Sequence, residues 1–106
     1  MREFSATELR GYLRTAPAGP LLLDVREPWE FDRARIEGSV LAPMRTIPER
    51  LQDFNPEPDI VVICQHGSRS RMVGVYLENH GFSNIINLTG GVEAWAREVD
   101  PDMETY

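Results

Sequence analysis

The run Ile60-Val61-Val62-Ile63, followed at once by Cys64-Gln65-His66-Gly67-Ser68-Arg69-Ser70-Arg71, constrains the fold more than any other stretch. Four β-branched aliphatic residues in a row leave no polar face, so they read as a strand buried on both sides. Strands of that kind belong to parallel sheets covered by helices. After Cys64 comes a short polar loop and then a helical pattern. A strand end, a tight loop and a helix start make backbone N–H groups converge, which suits an anion. Such surroundings also favour the anionic form of a sulfur placed among them. Cys64 is the only cysteine, so it is the candidate nucleophile and no internal disulfide can form.

The rest of the chain alternates between the same two kinds of element. Ser5-Ala6-Thr7-Glu8 is a capping-box pattern that opens a helix over Ala6 to Arg14. Ala16-Pro17-Ala18-Gly19-Pro20 breaks it. Leu21 to Val25 reads as a short apolar strand, and Pro28 to Ala34 as a short helix with Trp29 and Phe31 as candidate core anchors. Ser39 to Ala42 reads as a strand. Thr46-Ile47-Pro48-Glu49 is a second capping-box pattern, with a helix expected to run to about Phe54. Asp59 to Ile63 is the clearest strand. Arg69 to His80 is helical, with Val73, Tyr76, Leu77 and His80 at i, i+3, i+4 and i+7 and Gly81 as its stop. Asn84 to Leu88 is a strand, Gly90-Gly91 a turn, and Val92 to Glu98 a last helix carrying Trp95. The polar tail from Asp100 to Tyr106 is expected to fray.

Short apolar strands alternating with helices predict an α/β domain with a mainly parallel sheet flanked by helices on both faces. Ligands of such folds sit beyond the carboxyl ends of the strands. Cys64 and Asp24 both lie at such ends. The 106 residues suffice for one domain spanning 1–106. No apolar run is long enough to cross a bilayer and none resembles a signal peptide, so a cytoplasmic protein without a membrane partner is the expectation.

All 11 basic residues are arginine, which excludes Schiff-base chemistry on a lysine. A net charge of −6 argues against a nucleic-acid partner. Between Asp59 and Glu78 there is no carboxylate, whereas Arg69 and Arg71 fall there. The cysteine loop is therefore expected to be locally positive within an acidic chain and to attract a small anion.

Five segments together resemble the rhodanese family of sulfurtransferases in its single-domain form. They are Leu22-Leu23-Asp24-Val25-Arg26-Glu27-Pro28-Trp29-Glu30-Phe31, Ile36-Glu37-Gly38-Ser39, Cys64 to Ser70, Gly81-Phe82, and Asn87-Leu88-Thr89-Gly90-Gly91 with Trp95. The resemblance implies a rhodanese fold with a five-stranded parallel sheet and a persulfide intermediate on Cys64. It implies an anion-holding loop of Gln65, His66, Gly67, Ser68, Arg69 and Ser70, with Arg69 forking onto a sulfonate-like group. It calls for no metal or organic cofactor. The donor it implies is a small anion such as thiosulfate, or a persulfide, and the acceptor a thiol, cyanide or a protein. A monomer or weak dimer is expected.

Two positions depart from the common family pattern. Gln65 stands where many members carry a basic residue, and offers a donor a hydrogen bond without charge. Arg35 stands where many have histidine, at a position expected to be structural. The loop also lacks the Cys-Gly-Ser/Thr-Gly-Val-Thr pattern of mercaptopyruvate sulfurtransferases.

Each remaining feature has a plainer reading. Asp24 and Arg26 are read as a structural ion pair supporting the site. His66 is read as loop-lining or exposed, because a thiolate already formed needs no base. Cys64, His66 and His80 are too few for a closed metal site. Three rival functions stand beside sulfur transfer: a binding module without activity, a sulfur carrier, and a phosphatase. Related phosphatases have five residues between cysteine and arginine, whereas four intervene here, Gln65 to Ser68.

Overall fold

Burial on both faces places the strand over Ile60–Ile63 (β4) in the middle of a five-stranded sheet, where each of its residues is at most 1% exposed. The other strands are Arg2–Phe4 (β1), Leu21–Asp24 (β2), Val40–Leu41 (β3) and Ile85–Leu88 (β5). The order is β1-β5-β4-β2-β3 and every pairing is parallel. The computed structural model describes residues 1–16 and 19–105. Pro17 and Ala18, central to the expected break after the first helix, lie outside the described residues, as does Tyr106.

Alternation along β4 divides the core in two. Ile60, Val62 and Cys64 face one cluster, which includes Leu23, Ile47, Val73 and Leu77. Val61 and Ile63 face the other, with Leu9, Ile86, Val92 and Trp95. The helices over Ala6–Thr15 (α1) and Gly91–Glu98 (α4) cover the second face. The helix over Ser68–Glu78 (α3) and a 3-10 segment over Met44–Asp53 cover the first. Each fully buried Ile, Val or Leu stabilises the fold by about 1.5–3 kcal/mol. The cysteine thus emerges on the α3 face at the carboxyl edge of the central strand.

Four local expectations need correction. β1 was not foreseen; it is a three-residue edge strand carrying Arg2 and Glu3, held by its register with Ile86–Leu88 of β5. The segment after Pro43 is 3-10, not an α-helix from a capping box. Pro48 has no N–H to give to an α-helical ladder, and the Thr46 hydroxyl donates to the Pro43 carbonyl at 2.7 Å. In the short helix Pro28–Arg33 (α2) the expected burial is inverted: Trp29 is 56% exposed, whereas Glu30 is 4% exposed. The tail does not simply fray: Met103 packs on the second cluster and Glu104 pairs with Arg33 at 3.1 Å. Elsewhere the expected elements stand within one or two residues of their predicted bounds.

Candidate active site

Cys64 follows the last residue of β4 and is buried. Its sulfur accepts the Gly67 N–H at 3.0 Å. To turn that N–H back onto the sulfur, Gly67 adopts φ 108, and a side chain there would press on the Gly90 backbone nitrogen at 3.1 Å. Only glycine takes both constraints easily. The Arg71 N–H bonds to the Gly67 carbonyl at 3.3 Å, the first bond of α3. The N–H groups of Ser68, Arg69 and Ser70 come before it, where a helix has no internal partners for them.

α4 fixes the other side of the loop. Its Val92 N–H donates to the Cys64 carbonyl at 2.9 Å, and its Glu93 N–H to the Gln65 carbonyl at 3.2 Å. Gly91 makes this approach available, since a Cβ there would collide with both carbonyls. A trans peptide points its N–H opposite its C=O. Tying the two carbonyls to α4 therefore turns the Gln65 and His66 N–H groups away from α4. Two helix N-termini thus shape one short loop, one by capping it and one by anchoring its carbonyls.

Below the sulfur runs a chain of side chains. Ser70 Oγ lies 3.3 Å from the Cys64 sulfur and 2.5 Å from Asn87 Oδ1. Asn87 donates from Nδ2 to Glu3 Oε1 at 2.8 Å. The bond from Asn87 is the chief cause holding the Glu3 carboxyl below its usual range. β1, β5 and α3 are joined through these three residues at the foot of the cysteine.

Beside the loop, Arg26 is fully buried and bonds through Nε and Nη2 to Asp24 at 2.8–3.1 Å. It also reaches the Ala34 carbonyl at 2.6 Å and Gln65 Oε1 at 3.0 Å. Asp24 and Arg26 form a fully buried ion pair beside the loop. Gln65, in contrast, turns its amide inward onto Arg26 and is buried, so its side chain does not meet an incoming donor. His66 is exposed, with Nε2 at 3.1 Å from Glu93 Oε2.

The arginines that made the loop look positive along the chain are each paired with a carboxylate. Arg69 is held end-on by Glu30, Nη1 to Oε1 at 2.7 Å and Nη2 to Oε2 at 2.9 Å. Arg71 is met by Glu3 at 3.3 Å. The carboxylates come from positions 3, 30 and 93, far from the cysteine in sequence, which is why a tally along the chain missed them. Chain folding, not local composition, sets the field at this loop.

A Rhodanese-like domain model matches residues 5–98. The chain belongs to the rhodanese family. A thiosulfate sulfurtransferase GlpE from Stutzerimonas stutzeri is 32% identical over 82% of this chain and 80% of its own length. A chloroplastic rhodanese-like/PpiC domain-containing protein from Arabidopsis thaliana is 39% identical over 80% of this chain, but the chain spans only 30% of that protein. The crystal structure of a rhodanese-like domain protein from Staphylococcus aureus superposes with a TM-score of 0.84 at 32% identity, covering 100% of this chain and 99% of that one.

Some residues of the rhodanese loop's surroundings escaped the sequence reading. Glu30 looked like one charge on a short amphipathic helix. Its signal was the Asp24-x-Arg26 turn just before it, which brings α2 back over the strand ends. It also accepts the Glu27 N–H at 2.9 Å, so it ties the start of α2 to Arg69. The signal for Asn87 was a polar residue inside an otherwise apolar strand, since a buried amide there must have partners. Glu3 gave no signal, because its strand is too short to read. Arg35 lies over the Phe31 ring at 4.6 Å, consistent with a structural role.

Proposed function

We propose that this chain is a sulfurtransferase that carries sulfane sulfur on Cys64. The observation that carries the reading is the Gly67 N–H directed at the buried sulfur, in a loop whose carbonyls are tied away to α4. Preset dipoles of this kind hold a developing negative charge without moving protons. In the first half-reaction the Cys64 thiolate forms a bond to the outer sulfur of a donor, and the donor's S–S bond breaks with its electron pair. Thiosulfate would release sulfite, leaving Cys64–S–S⁻. In the second, a nucleophile such as cyanide, a thiol or a protein thiol attacks the outer sulfur, and the Cys64 thiolate departs. The loop serves both halves, because each begins or ends with charge on the same sulfur.

The four residues between Cys64 and Arg69 favour this reading over phosphoryl transfer, for which related enzymes use a larger loop. The thiosulfate sulfurtransferase among the relatives supports it as well. Intact mass after incubation with a sulfane donor tests it. We expect a gain of one sulfur atom, reversed by cyanide with formation of thiocyanate. Cys64→Ser should keep the fold and lose both the gain and the thiocyanate. Turnover by that variant near the wild-type rate would refute the persulfide.

A further inference from the structure

Every basic side chain around the loop is already met by a carboxylate: Arg26 by Asp24, Arg69 by Glu30, Arg71 by Glu3 and His66 by Glu93. The Glu30 pairing matters most. Arg69 belongs to the first turn of α3 and is about one-third exposed, whereas the Glu30 carboxylate is buried beneath it. Both Glu30 oxygens are used on the two Arg69 Nη atoms, the planar fork that a sulfonate would otherwise occupy. The amide of Gln65, the other side chain placed to greet a donor, is spent on Arg26. The loop can offer an incoming group its backbone dipoles and little net charge.

We propose that Glu30 is a specificity-determining residue, and that by neutralising Arg69 it tunes the Cys64 loop to a protonated organic persulfide over the thiosulfate dianion. This rests on the sulfurtransferase reading and narrows its donor. The charge argument is direct. Thiosulfate brings two negative charges to a thiolate, in a chain whose net charge is −6, and among the described residues the basic side chains beside the loop are each paired with a carboxylate, leaving backbone N–H groups to meet them. A persulfide brings no charge to the reacting sulfur as R–S–SH, the form the thiolate attacks, and a single charge as R–S–S⁻, fewer than thiosulfate in either form. The Cys64 thiolate forms a bond to the terminal sulfur, the S–S bond breaks, and R–S⁻ leaves with the electron pair. Cys64–S–SH remains and loses its proton to water. Atoms and charge balance with no added oxidant or reductant, and the step moves one negative charge from sulfur to sulfur without bringing two together.

The test compares two donors, thiosulfate and the persulfide of 2-mercaptoethanol generated in situ, by rapid-quench intact mass of the wild-type chain and of Glu30→Gln. In the wild type the organic persulfide should load Cys64 with the larger second-order rate constant. Loading by thiosulfate should hold steady or quicken as salt is added, because salt screens the repulsion between dianion and acidic chain. In Glu30→Gln the unmasked Arg69 should speed thiosulfate loading by about three- to tenfold at low salt. Loading by the less charged organic persulfide should change by a clearly smaller factor on the same scale. The ratio between donors separates this from a merely structural role, which would slow both alike. Three results would overturn the proposal: faster wild-type loading by thiosulfate, a thiosulfate rate that falls with salt, or equal changes for both donors in Glu30→Gln. The wild-type arms decide even if the variant does not fold. Failure of either donor to add sulfur to wild-type Cys64 would instead remove the underlying sulfurtransferase reading.

Discussion

Arg26 and Arg69 both grip a carboxylate with two nitrogens at the carboxyl edge of the sheet, yet they are different devices. Arg26 is fully buried, and its fork on Asp24 is completed by two carbonyls and the Gln65 amide. Arg69 keeps a third of its side chain in solvent, and its fork lies on a carboxylate that comes from another helix. A buried charge left without its partner costs several kcal/mol, whereas water can reach Arg69 when its partner is removed. The first pair therefore builds the wall of the loop, and the second sets the charge the loop presents. The same chemistry serves structure or selectivity according to how much water reaches it.

The largest effect should come from breaking the buried pair. Asp24→Asn keeps the shape but leaves the Arg26 guanidinium uncompensated, and we expect a loss of about 3–5 kcal/mol in urea unfolding. A loss below about 1 kcal/mol would mean that water or another acceptor reaches Arg26, and the contrast between the two arginines would collapse. Next comes Gln65→Leu, which deprives Arg26 of one acceptor while keeping Asp24. A buried donor left unmatched costs about 1–3 kcal/mol. Because the Gln65 amide faces inward, this variant should alter stability far more than the Michaelis constant for a donor. A large Michaelis effect with unchanged stability would place the amide at the mouth after all. Glu30→Gln alters a buried carboxylate whose arginine partner water can reach, and should cost about 1–3 kcal/mol.

How legible these residues were follows the same division. Parallel strands, their order of burial and the cysteine at a strand end were readable because they rest on unbroken apolar runs and on neighbours in sequence. The Asp24–Arg26 pair was readable for that reason too, since its members are two positions apart. Glu30–Arg69 and Glu3–Arg71 join positions 39 and 68 residues apart. No periodicity encodes such a meeting, and the carboxylates beside the loop were missed as a result. Trp29 misled in the other direction: a large aromatic was assigned to the core, but α2 turns its Glu30 face inward because that face carries the partner of Arg69. Strand β1 was hidden because three residues, two of them charged, look the same whether or not a sheet edge receives them.

A pair at the opposite, amino-terminal edge of the sheet extends the comparison to an ion bound by a hydroxyl. Tyr12 on α1 donates to Asp59, just before β4, and Arg2 pairs with the same carboxylate at 2.8 Å. The Tyr12 bond is the chief cause holding the Asp59 carboxyl below its ordinary value of 3.8. Burial, then the bond to Asp59, raises the Tyr12 phenol from 10.0 to about 12. The signs differ for the two partners. A lowered carboxyl stabilises the fold above its unfolded value, and that contribution disappears as pH falls through the folded value. A raised phenol stabilises the fold below pH 10.0, and its contribution disappears as pH rises through about 12. Tyr12→Phe removes the phenol's contribution and the hydroxyl's share of the carboxyl's, leaving Arg2 on Asp59. Being partly exposed, the bond should be worth only about 1 kcal/mol, the smallest effect in the series. The difference in unfolding free energy between wild type and Tyr12→Phe should be flat between about pH 5 and 9 and should shrink on the acid side as Asp59 protonates. Sodium chloride should reduce it little, because a hydroxyl carries no charge to screen, in contrast to the open Arg69–Glu30 pair. Tyr12→Phe keeps the ring edge-on to Phe4 at 5.4 Å, so a difference that stayed constant down to strong acid would show that the hydroxyl contributes without the Asp59 charge.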